Sequence, residues 1–505
     1  MVAPSYFRSV MKQLIVIFFL IGLCTISSAQ KVYEFNSVCQ QAYQEITKLR
    51  ISSGIVLIEK AKQQNPDNLI PLLLESYVDF YTLFLNEDPR DYQIRYPKFS
   101  ERLDQLQQGP KSSPFYYYCL STVRVHKGAS AIKFGKLWDA GWDFRKAYQH
   151  IKENKKRFPT FTANDLIFGA LQAVVGTIPK GYQWIASLFG MKGSLTEGMK
   201  TVRGFINSND PWAKMMFNEA AFIYPYLLFY IENKKEEALA FTQQKKLDLV
   251  NNHLHAYMAA NLAINNKQSE FAQKIILNRN RSDEYLQVSI WDFELGFTKL
   301  YHLETQEAAK YLEKFLTGFK GKFYVKDAYQ KLSWCYYLQG NMTAAQEVRK
   351  KILQKGATDS DADKQALKDA QSGKWPNILL LKARLLSDGG YHNDAAALLQ
   401  DKTENDFSNE EEKLEFAYRM ARIYDDLGRD EEAIKSYLIA IRLGENRKEY
   451  FAARAALQTG QLYEKKGDKS MAITYYQKCL DMDDHEYKNS LDQRAKSGIA
   501  RCKGE

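Results

Sequence analysis

The groups of residues that could do chemistry in this sequence each lack part of the pattern that their chemistry needs. His253 and His255 lie two residues apart in a predicted helix, which points their rings to nearly opposite sides, so they cannot share a metal ion. Asp481, Asp483 and Asp484 follow a predicted helix end but lack the glycine and the remaining ligands of a calcium loop. We therefore predict no metal site and interpret both groups as structural.

Two glycine-containing segments could in principle cradle a phosphate. Neither 190–198 (GMKGSLTEG) nor 318–323 (GFKGKF) has the spacing of a phosphate-binding loop, and no predicted strand precedes either segment. Motifs of serine hydrolases and zinc proteases do not occur. We predict no catalytic residues, no cofactor and no enzyme activity, although catalytic residues that converge from distant parts of the chain would leave no such motif.

The composition describes a folded chain with an unusual content of aromatic residues. The 505 residues are 45% hydrophobic and 26% charged, and they include 32 Tyr, 28 Phe and 7 Trp, which require a large core or an extended contact surface. The net charge is +10, but basic and acidic residues are mixed along the chain without a basic block. Nucleic acid is therefore not a predicted partner.

The first 29 residues have the pattern of a secretory signal peptide. Arg8 and Lys12 precede the apolar run Leu14–Cys24, and small residues at Ser27 and Ala29 predict cleavage after Ala29. The end of this segment resembles signal peptides of Bacteroidetes. We expect export to the periplasm, with secretion or association with the outer membrane left open.

Five cysteines follow the predicted signal peptide, at positions that suggest neither a disulfide framework nor a zinc site. They are widely spaced, and no CxxC pair occurs. We expect most of them to be buried as small apolar residues: Cys39, Cys119, Cys335, Cys479 and Cys502.

A repeat in the second half of the chain predicts the fold. An alanine recurs at spacings of 34, 36, 37, 50, 38 and 39 residues: Ala238, Ala272, Ala308, Ala345, Ala395, Ala433 and Ala472. Twelve residues before it stands a residue that is small in six of seven copies, and four residues after it stands a bulky one in most copies. This pattern predicts a helical hairpin, in which two small residues let the helices approach and the bulky residue fills the gap to the next hairpin. A glycine between the two helices, as at Gly428, ends the first one.

The last two copies resemble the tetratricopeptide repeat. One contains Ala421, Tyr424, Gly428, Ala433, Tyr437 and Ala440, and the other contains Gly460, Tyr463, Gly467, Ala472, Tyr476 and Cys479. The resemblance implies an all-α fold, an α-solenoid of stacked helix-turn-helix hairpins that binds protein partners. We predict a signal peptide (1–29), irregular helical hairpins (30–214), a repeat array (215–486) and a capping helix (487–505). The 50-residue step in the array predicts an inserted loop or extra turn within the polar segment 355–374.

The N-terminal half is helical in pattern but has no regular repeat. One apolar pattern predicts a helix over 35–64, and the composition of 176–198 indicates a glycine-rich connection. The apolar stretch Leu166–Ile178 is too short to cross a membrane, so we interpret it as a buried helix, while a peripheral contact with a membrane stays open.

The resemblance also implies where a partner would bind, because that family holds peptides or helices on the surface of its first helices. Counting back from the repeat alanines places nine residues on this surface: Tyr257, Asn261, Phe297, Tyr301, Trp334, Tyr337, Arg384, Tyr418 and Arg422. We expect a scaffold or adaptor of the cell envelope, whose partner has apolar anchors followed by acidic groups. Two alternatives stay open: the aromatic members pack between repeats, or the protein is a nutrient (glycan)-binding accessory protein of the outer membrane. Leu23 disfavours the second, since it spoils the lipid-attachment signal at Cys24 that such proteins carry.

Overall fold

The computed structural model describes residues 30–177, 193–245 and 247–504. Within these residues the chain forms 25 α-helices and no strand, so the all-α solenoid of helical hairpins predicted from the sequence is confirmed. The chain divides into two compact units. The first runs to Leu227 and includes residues 281–287, and the second contains residues 228–280 and 288 onwards. The predicted signal peptide 1–29 and most of the glycine-rich connection, 178–192, lie outside the described residues.

The first unit contains helices of uneven length. Their bounds are as follows: α1 Ser37–Ile46, α2 Ile51–Gln64, α3 Ile70–Asn86, α4 Pro89–Leu106, α5 Phe115–Lys133, α6 Leu137–Arg157, α7 Asn164–Gly176, α8 Leu195–Ile206, α9 Pro211–Met215 and α10 Phe217–Tyr226. Its core contains a buried carboxyl group, Glu219, which accepts hydrogen bonds from the hydroxyl groups of Tyr43 (2.6 Å) and Tyr77 (2.9 Å).

The helix predicted over 35–64 is broken into α1 and α2 by a tight turn. Leu49 adopts a left-handed conformation in this turn, with φ of 63°, and its side chain is buried. The carbonyl oxygen of Leu49 accepts a hydrogen bond from the backbone N–H of Leu286 at 2.8 Å. Because glycine or asparagine normally marks such a turn, a leucine there gave no signal in the sequence.

Residues 166–176 of the apolar stretch Leu166–Ile178 form most of α7, and Ile178 lies outside the described residues. Leu166 and Ala173 are fully buried, and Ile167 and Leu171 are nearly so. Across the described residues, no helix combines the length and the apolar character that crossing a membrane requires.

The second unit begins with a π-helical turn, Leu227–Ile231, whose first residue still belongs to the first unit. Its helices follow: α11 Lys235–Gln244, α12 His253–Asn265, α13 Ser269–Asn278, α14 Ile290–Tyr301, α15 Thr305–Gly318, α16 Val325–Leu338, α17 Met342–Gln354, α18 Asp361–Ser372, α19 Ile378–Gly389, α20 His392–Leu399, α21 Glu410–Asp426, α22 Asp430–Gly444, α23 Phe451–Lys465, α24 Lys469–Asp481 and α25 Lys488–Lys503. The hairpins α12–α13, α14–α15, α16–α17, α19–α20, α21–α22 and α23–α24 each pair a first helix with a second.

The small and bulky positions of the repeat pack as the sequence predicts. All seven repeat alanines are fully buried. Tyr476, the bulky residue of the last hairpin, is also fully buried, and its ring fills the space beside Gly460 on α23 and Gly498 on α25. A Cβ atom at Gly460 would lie 2.6 Å from this ring, and one at Gly498 would lie 2.4 Å from it. The glycines therefore set how closely both helices approach the tyrosine.

The turn between the two helices has one conformation throughout the array. The residue five positions before each of the seven repeat alanines has a positive φ, and it is glycine in four copies and another residue in three: Asn233, Lys267, Leu303, Gly340, Gly390, Gly428 and Gly467. The hairpins without a turn glycine therefore keep the turn, at a cost in strain for Lys267 and Leu303.

The segment interpreted as an inserted loop or extra turn, 355–374, is largely a helix, α18. Ser360 caps its first turn, and Gly373 ends it in a left-handed conformation. The carboxylate of Asp363 is fully buried and accepts hydrogen bonds from the backbone N–H groups of Tyr324 (2.7 Å) and Asp327 (3.1 Å) at the start of α16. The polar composition of this segment suggested a solvated connection. Its buried Asp363 instead caps the start of a neighbouring helix, and the segment is packed.

Hairpins far apart in sequence touch within the second unit. The turn glycine Gly390 packs so tightly on the carbonyl oxygen of Lys267 that a Cβ atom there would lie 1.9 Å from it. The ammonium group of Lys267 also forms an ion pair with Asp426 on α21. The α12–α13 turn therefore contacts both the α19–α20 turn and α21.

Candidate binding face on the first helices

The nine residues predicted from the sequence all lie on first helices of the second unit. Tyr257 and Asn261 are on α12, Phe297 and Tyr301 on α14, Trp334 and Tyr337 on α16, Arg384 on α19, and Tyr418 and Arg422 on α21. We call the surface around these residues the first-helix face.

Trp334 is the centre of one contact group on this face. Its indole ring lies 4.6 Å from the ammonium group of Lys331 and 5.4 Å from the guanidinium group of Arg384, measured to the ring centroid. Lys331 also lies 5.6 Å from the ring of Phe297 and pairs with Asp327 at 2.6 Å. The structure thus brings Phe297, Trp334 and Arg384 together, around a lysine that the sequence reasoning missed.

Three of the predicted residues are buried, and the others keep part of their surface. Phe297, Trp334 and Tyr418 are 8%, 6% and 3% exposed, so they form the base of the first-helix face and offer a partner little area. Arg384 is different, because 35% of its side chain is exposed. It can therefore reach a partner while its guanidinium group is held near Trp334, with Asp388 at 3.5 Å.

Tyr337 lies in a surface hollow that the sequence reasoning did not identify. Its ring stacks on Trp375 at 4.7 Å between centroids, and its hydroxyl group donates a hydrogen bond to the carbonyl oxygen of Pro376 at 3.0 Å. The hollow has a volume of about 580 Å³, and Ile378, Leu379, Lys382, Leu398 and Glu412 also line it. Trp375 precedes α19 in a loop, outside the repeat pattern, so counting from the alanines could not find it.

Asn261 holds a buried acid beside the first-helix face. Its side-chain amide donates a hydrogen bond to Glu294 at 2.9 Å and accepts one from the hydroxyl group of Tyr230 at 3.2 Å. Burial raises the pKa of Glu294 to about 7, and the hydrogen bond from Asn261 offsets part of this rise. Tyr257 lies on α12 with Asn261, and Tyr301 lies on α14 with Glu294. The ring of Tyr257 is 6.1 Å from that of Trp291.

Arg422 stands at the basic end of the first-helix face. Its guanidinium group lies 3.4 Å from carboxylate oxygens of both Asp425 and Asp426. Asp425 also accepts a hydrogen bond from the hydroxyl group of Tyr437 at 2.8 Å, and Asp426 pairs with Lys267. Arg422 therefore belongs to a network of two acids, a lysine and a tyrosine hydroxyl group.

The residue groups first examined for chemistry have structural surroundings. His253 and His255 are both buried at the start of α12, where the Nε2 atom of His253 lies 2.6 Å from the carbonyl oxygen of Asn280. Asp483 and Asp484 are exposed after α24 and lie 3.5 Å from Lys488 and Lys448 respectively. In the part of the chain that the structure describes, no three His, Cys, Asp or Glu side chains are grouped so as to hold a metal ion.

Comparison with known proteins identifies two repeats of the second unit. Residues 417–449 and 453–486 each match the tetratricopeptide repeat family. Hairpins α21–α22 and α23–α24, which occupy these residues, are therefore tetratricopeptide repeats. None of the curated proteins matches the chain.

Several solved structures of helical repeat proteins are similar to the chain at low identity. The P58(IPK) TPR domain is 15% identical with a TM-score of 0.22, over 82% of this chain and 95% of that one. The APC/C hetero-tetramer Cut9–Hcn1 is 13% identical with a TM-score of 0.26, over 90% of this chain and 95% of that one. Yeast Tom70 is 14% identical with a TM-score of 0.23, over 88% of this chain and 94% of that one.

Proposed function

We propose that the protein is a non-catalytic scaffold that binds a peptide or a helix of a partner protein on the first-helix face of its second unit. The observation that carries this proposal is the contact group around Trp334. There a buried aromatic base holds Arg384 in place while more than a third of that side chain stays exposed. The two tetratricopeptide repeats in the same unit support a role in protein interaction.

The chemistry of the face favours a partner with apolar anchors followed by acidic groups. The hollow beside Tyr337 and Trp375 offers aromatic walls that an apolar side chain can contact. Arg384 and Arg422 offer forked donors that match a carboxylate. Since the aromatic base is already packed, a partner would pay little to order it.

Partner capture by a variant of two partly exposed residues tests the proposal. The wild-type chain, a Tyr337→Ala/Arg384→Ala variant and an Arg442→Ala control are used as bait against the envelope fraction, with proteins identified by mass spectrometry. Arg442 is exposed on α22, which is the second helix of its hairpin. Its variant therefore also loses one arginine, but away from the first-helix face. We expect a partner that the wild type and the control capture and the double variant loses. Equal capture by all three would contradict the proposal. Trp334→Ala is unsuitable because removing a buried Trp costs roughly 3 kcal/mol of stability.

We also propose that the chain works in the cell envelope of a bacterium of Bacteroidetes type. The support is the signal-peptide pattern of residues 1–29, with its basic start, apolar run and small residues before Gln30. Fractionation of the native host followed by N-terminal sequencing tests this proposal. A mature chain in the periplasm that begins at Gln30 is expected, whereas an uncleaved cytoplasmic chain would overturn it.

A further inference from the structure

The hairpin of α5 and α6, in the first unit, exposes large apolar side chains around its turn. Of the tryptophans that the structure describes, Trp138 and Trp142 are the two exposed ones, at 61% and 48%. Leu137 at the start of α6 and Ile132 near the end of α5 are also exposed. We call these four residues the hairpin tip. A cluster of exposed apolar side chains marks a surface that contacts a partner or a membrane.

The turn holds the two sides of the hairpin tip together. The N–H group of Gly135 donates a hydrogen bond to the carbonyl oxygen of Ile132 at 3.0 Å. The N–H group of Lys136 donates one to the carbonyl oxygen of Ala131 at 2.9 Å. Gly135 has a φ of 72°, and in the described part of the chain nothing lies within 4 Å of the position that its Cβ atom would take. Ile132 and Leu137 therefore flank a tight turn that projects from the neighbouring helices.

The two tryptophans lie on the side of α6 that faces away from α5. Trp138 and Trp142 are one helical turn apart, so their side chains share one face of α6. Ala140 and Ala147 lie on the opposite face and are buried. The carbonyl oxygen of Ala147 accepts a hydrogen bond from the hydroxyl group of Ser121 on α5 at 2.9 Å. The packing of α6 on α5 thus directs both indole rings outwards.

Basic side chains surround the hairpin tip. Lys136 and Lys146 are exposed, and the guanidinium group of Arg145 lies over an indole ring of the tip, 5.3 Å from its centroid. Residues 132–149 contain two acids. Asp139 is exposed, whereas Asp143 is buried and forms ion pairs with two cations of α5. The exposed charge beside the apolar side chains is therefore mainly positive, which complements anionic lipid headgroups.

The end of α7 lies level with the hairpin tip. An ion pair next to the loop and stacking of Tyr148 on Phe168, at 5.9 Å between ring centroids, show that α6 and α7 run antiparallel. Trp142 stands six residues before Tyr148, and Val174 stands six residues after Phe168. Since both helices rise equally per residue, Val174 lies at the level of Trp142, and it is also exposed.

The chain that leaves α7 at this level has the same composition as the hairpin tip. Residues 178–192, outside the described part, leave the fold and rejoin it at nearly the same place, because a Cβ atom at Gly193 would lie 2.5 Å from the backbone nitrogen of Gly176. Their sequence, IPKGYQWIASLFGMK, has two lysines and no acid among apolar and aromatic residues. Apolar and basic residues without acids are thus concentrated at this end of the α5–α7 helices.

We propose that the hairpin tip inserts into the headgroup region of a bilayer that contains anionic lipids and so attaches the first unit to a membrane surface. Tryptophan favours this region because its ring is apolar and its N–H group can still reach water or a headgroup. Neighbouring lysine and arginine side chains attract the lipid phosphates. Side chains that project from a turn also suit a deformable lipid surface, whereas a rigid protein partner needs a matching pocket. The proposal is independent of the first-helix face, which belongs to the second unit.

Binding to lipid vesicles tests the proposal. The chain from Gln30 onwards is used, because the apolar run Leu14–Cys24 would itself bind lipid. It is pelleted with sucrose-loaded vesicles that contain equal parts of phosphatidylglycerol and phosphatidylcholine, or phosphatidylcholine alone. We expect binding to the anionic vesicles and weaker binding to the neutral ones. Binding to the anionic vesicles should also decrease when NaCl is raised from about 50 to about 300 mM, because salt screens the basic residues.

Variants assign the binding to the hairpin tip. Trp138→Ser/Trp142→Ser should weaken binding to the anionic vesicles at least about tenfold, because two aromatic rings no longer enter the lipid. Ile55→Ser/Val56→Ser is the matched control, since it removes two exposed apolar side chains from α2 of the same unit, and it should bind as the wild type does. Melting curves verify folding. Leu137→Glu is the second tip variant: an acid in the first turn of α6 suits the helix dipole but is repelled by anionic lipid, so binding should again be lost.

Each other outcome counts against the proposal. It is wrong if the wild type does not bind the anionic vesicles, if the tip variants bind them as the wild type does, or if the control loses as much binding. If the chain is a dimer that the double tip variant dissociates, the tip is a contact between two copies. If vesicles are not bound and the double tip variant loses a captured protein, the tip is a protein interface. If vesicles are not bound and the tip variants only lower the melting temperature, the chain itself covers the tip.

Discussion

At the scale of single residues, Gly390 shows how one missing side chain permits a contact between distant hairpins. Both Gly390 and Gly428 are turn glycines with positive φ, but only Gly390 lies against another backbone, at Lys267. Alanine should cost about 1 kcal/mol at either position for the left-handed conformation. We expect Gly390→Ala to cost about 2 kcal/mol more than Gly428→Ala, because it also overpacks the Lys267 carbonyl. Urea unfolding of both variants measures the difference, and equal losses would contradict the contact.

Glu294 gives the second unit a pH dependence of defined sign. Its folded-state pKa of about 7 lies above the ordinary value of 4.5 that the unfolded chain has, so the folded state binds the proton more tightly. The stability it contributes is therefore complete below pH about 4.5 and is lost as the pH rises towards 7, by about 3 kcal/mol. Around it lie the polar side chains of Asn261, Tyr230 and Tyr301.

Glu294→Gln isolates this effect, because glutamine keeps an oxygen that accepts the hydrogen bond from Asn261 but does not titrate. We expect the variant to gain stability relative to wild type as the pH rises from about 4.5 to 7.5. Free energies of unfolding at several pH values measure the gain. A difference between the two proteins that stays constant with pH would show that Glu294 is ionised when folded.

At the scale of elements, the terminal helix α25 covers the last tetratricopeptide repeat. It buries Leu491, Ala495 and Cys502 and brings Gly498 against the ring of Tyr476. Deleting residues 487–505 should lower the free energy of unfolding by a few kcal/mol, on the order of two or three buried side chains. An unchanged melting temperature would mean that α25 adds nothing to the packing of α24.

The sequence predicted elements best where small residues set the packing. The repeat alanines and the turn glycines identified the hairpins because close helix packing tolerates few alternatives at these positions. The sequence did not predict the break at Leu49, where a leucine makes the turn, or the packed helix α18, where polar residues are used inside the fold. The first-helix residues were found by register, but their burial and the hollow at Trp375 depend on loops and on neighbouring hairpins, which a repeat pattern does not encode.

At the scale of the whole second unit, hairpins that are far apart in sequence contact one another, so its stability depends on more than the packing of adjacent hairpins. Asp426 on α21 faces Lys267, Arg422 and His392. Asp426→Asn should therefore raise hydrogen exchange in the α12–α13 turn, although 159 residues separate Lys267 from it. Asp430→Asn is the control, because Asp430 pairs with Lys465 of the adjacent hairpin. If both variants leave the exchange of that turn unchanged, the hairpins are stabilised only by their immediate neighbours.

The reactivity of the five buried cysteines can be used to measure partial opening of the fold. Each thiol is free, and burial raises the pKa of Cys39 to about 11 and that of Cys479 to about 12, so the reactive thiolate is scarce. A thiol reagent can thus modify them only during excursions that expose them, and labelling kinetics followed by mass spectrometry would time these excursions site by site. Cys502, on the terminal helix, should be modified first, and Cys119 and Cys335, which are fully buried, much later.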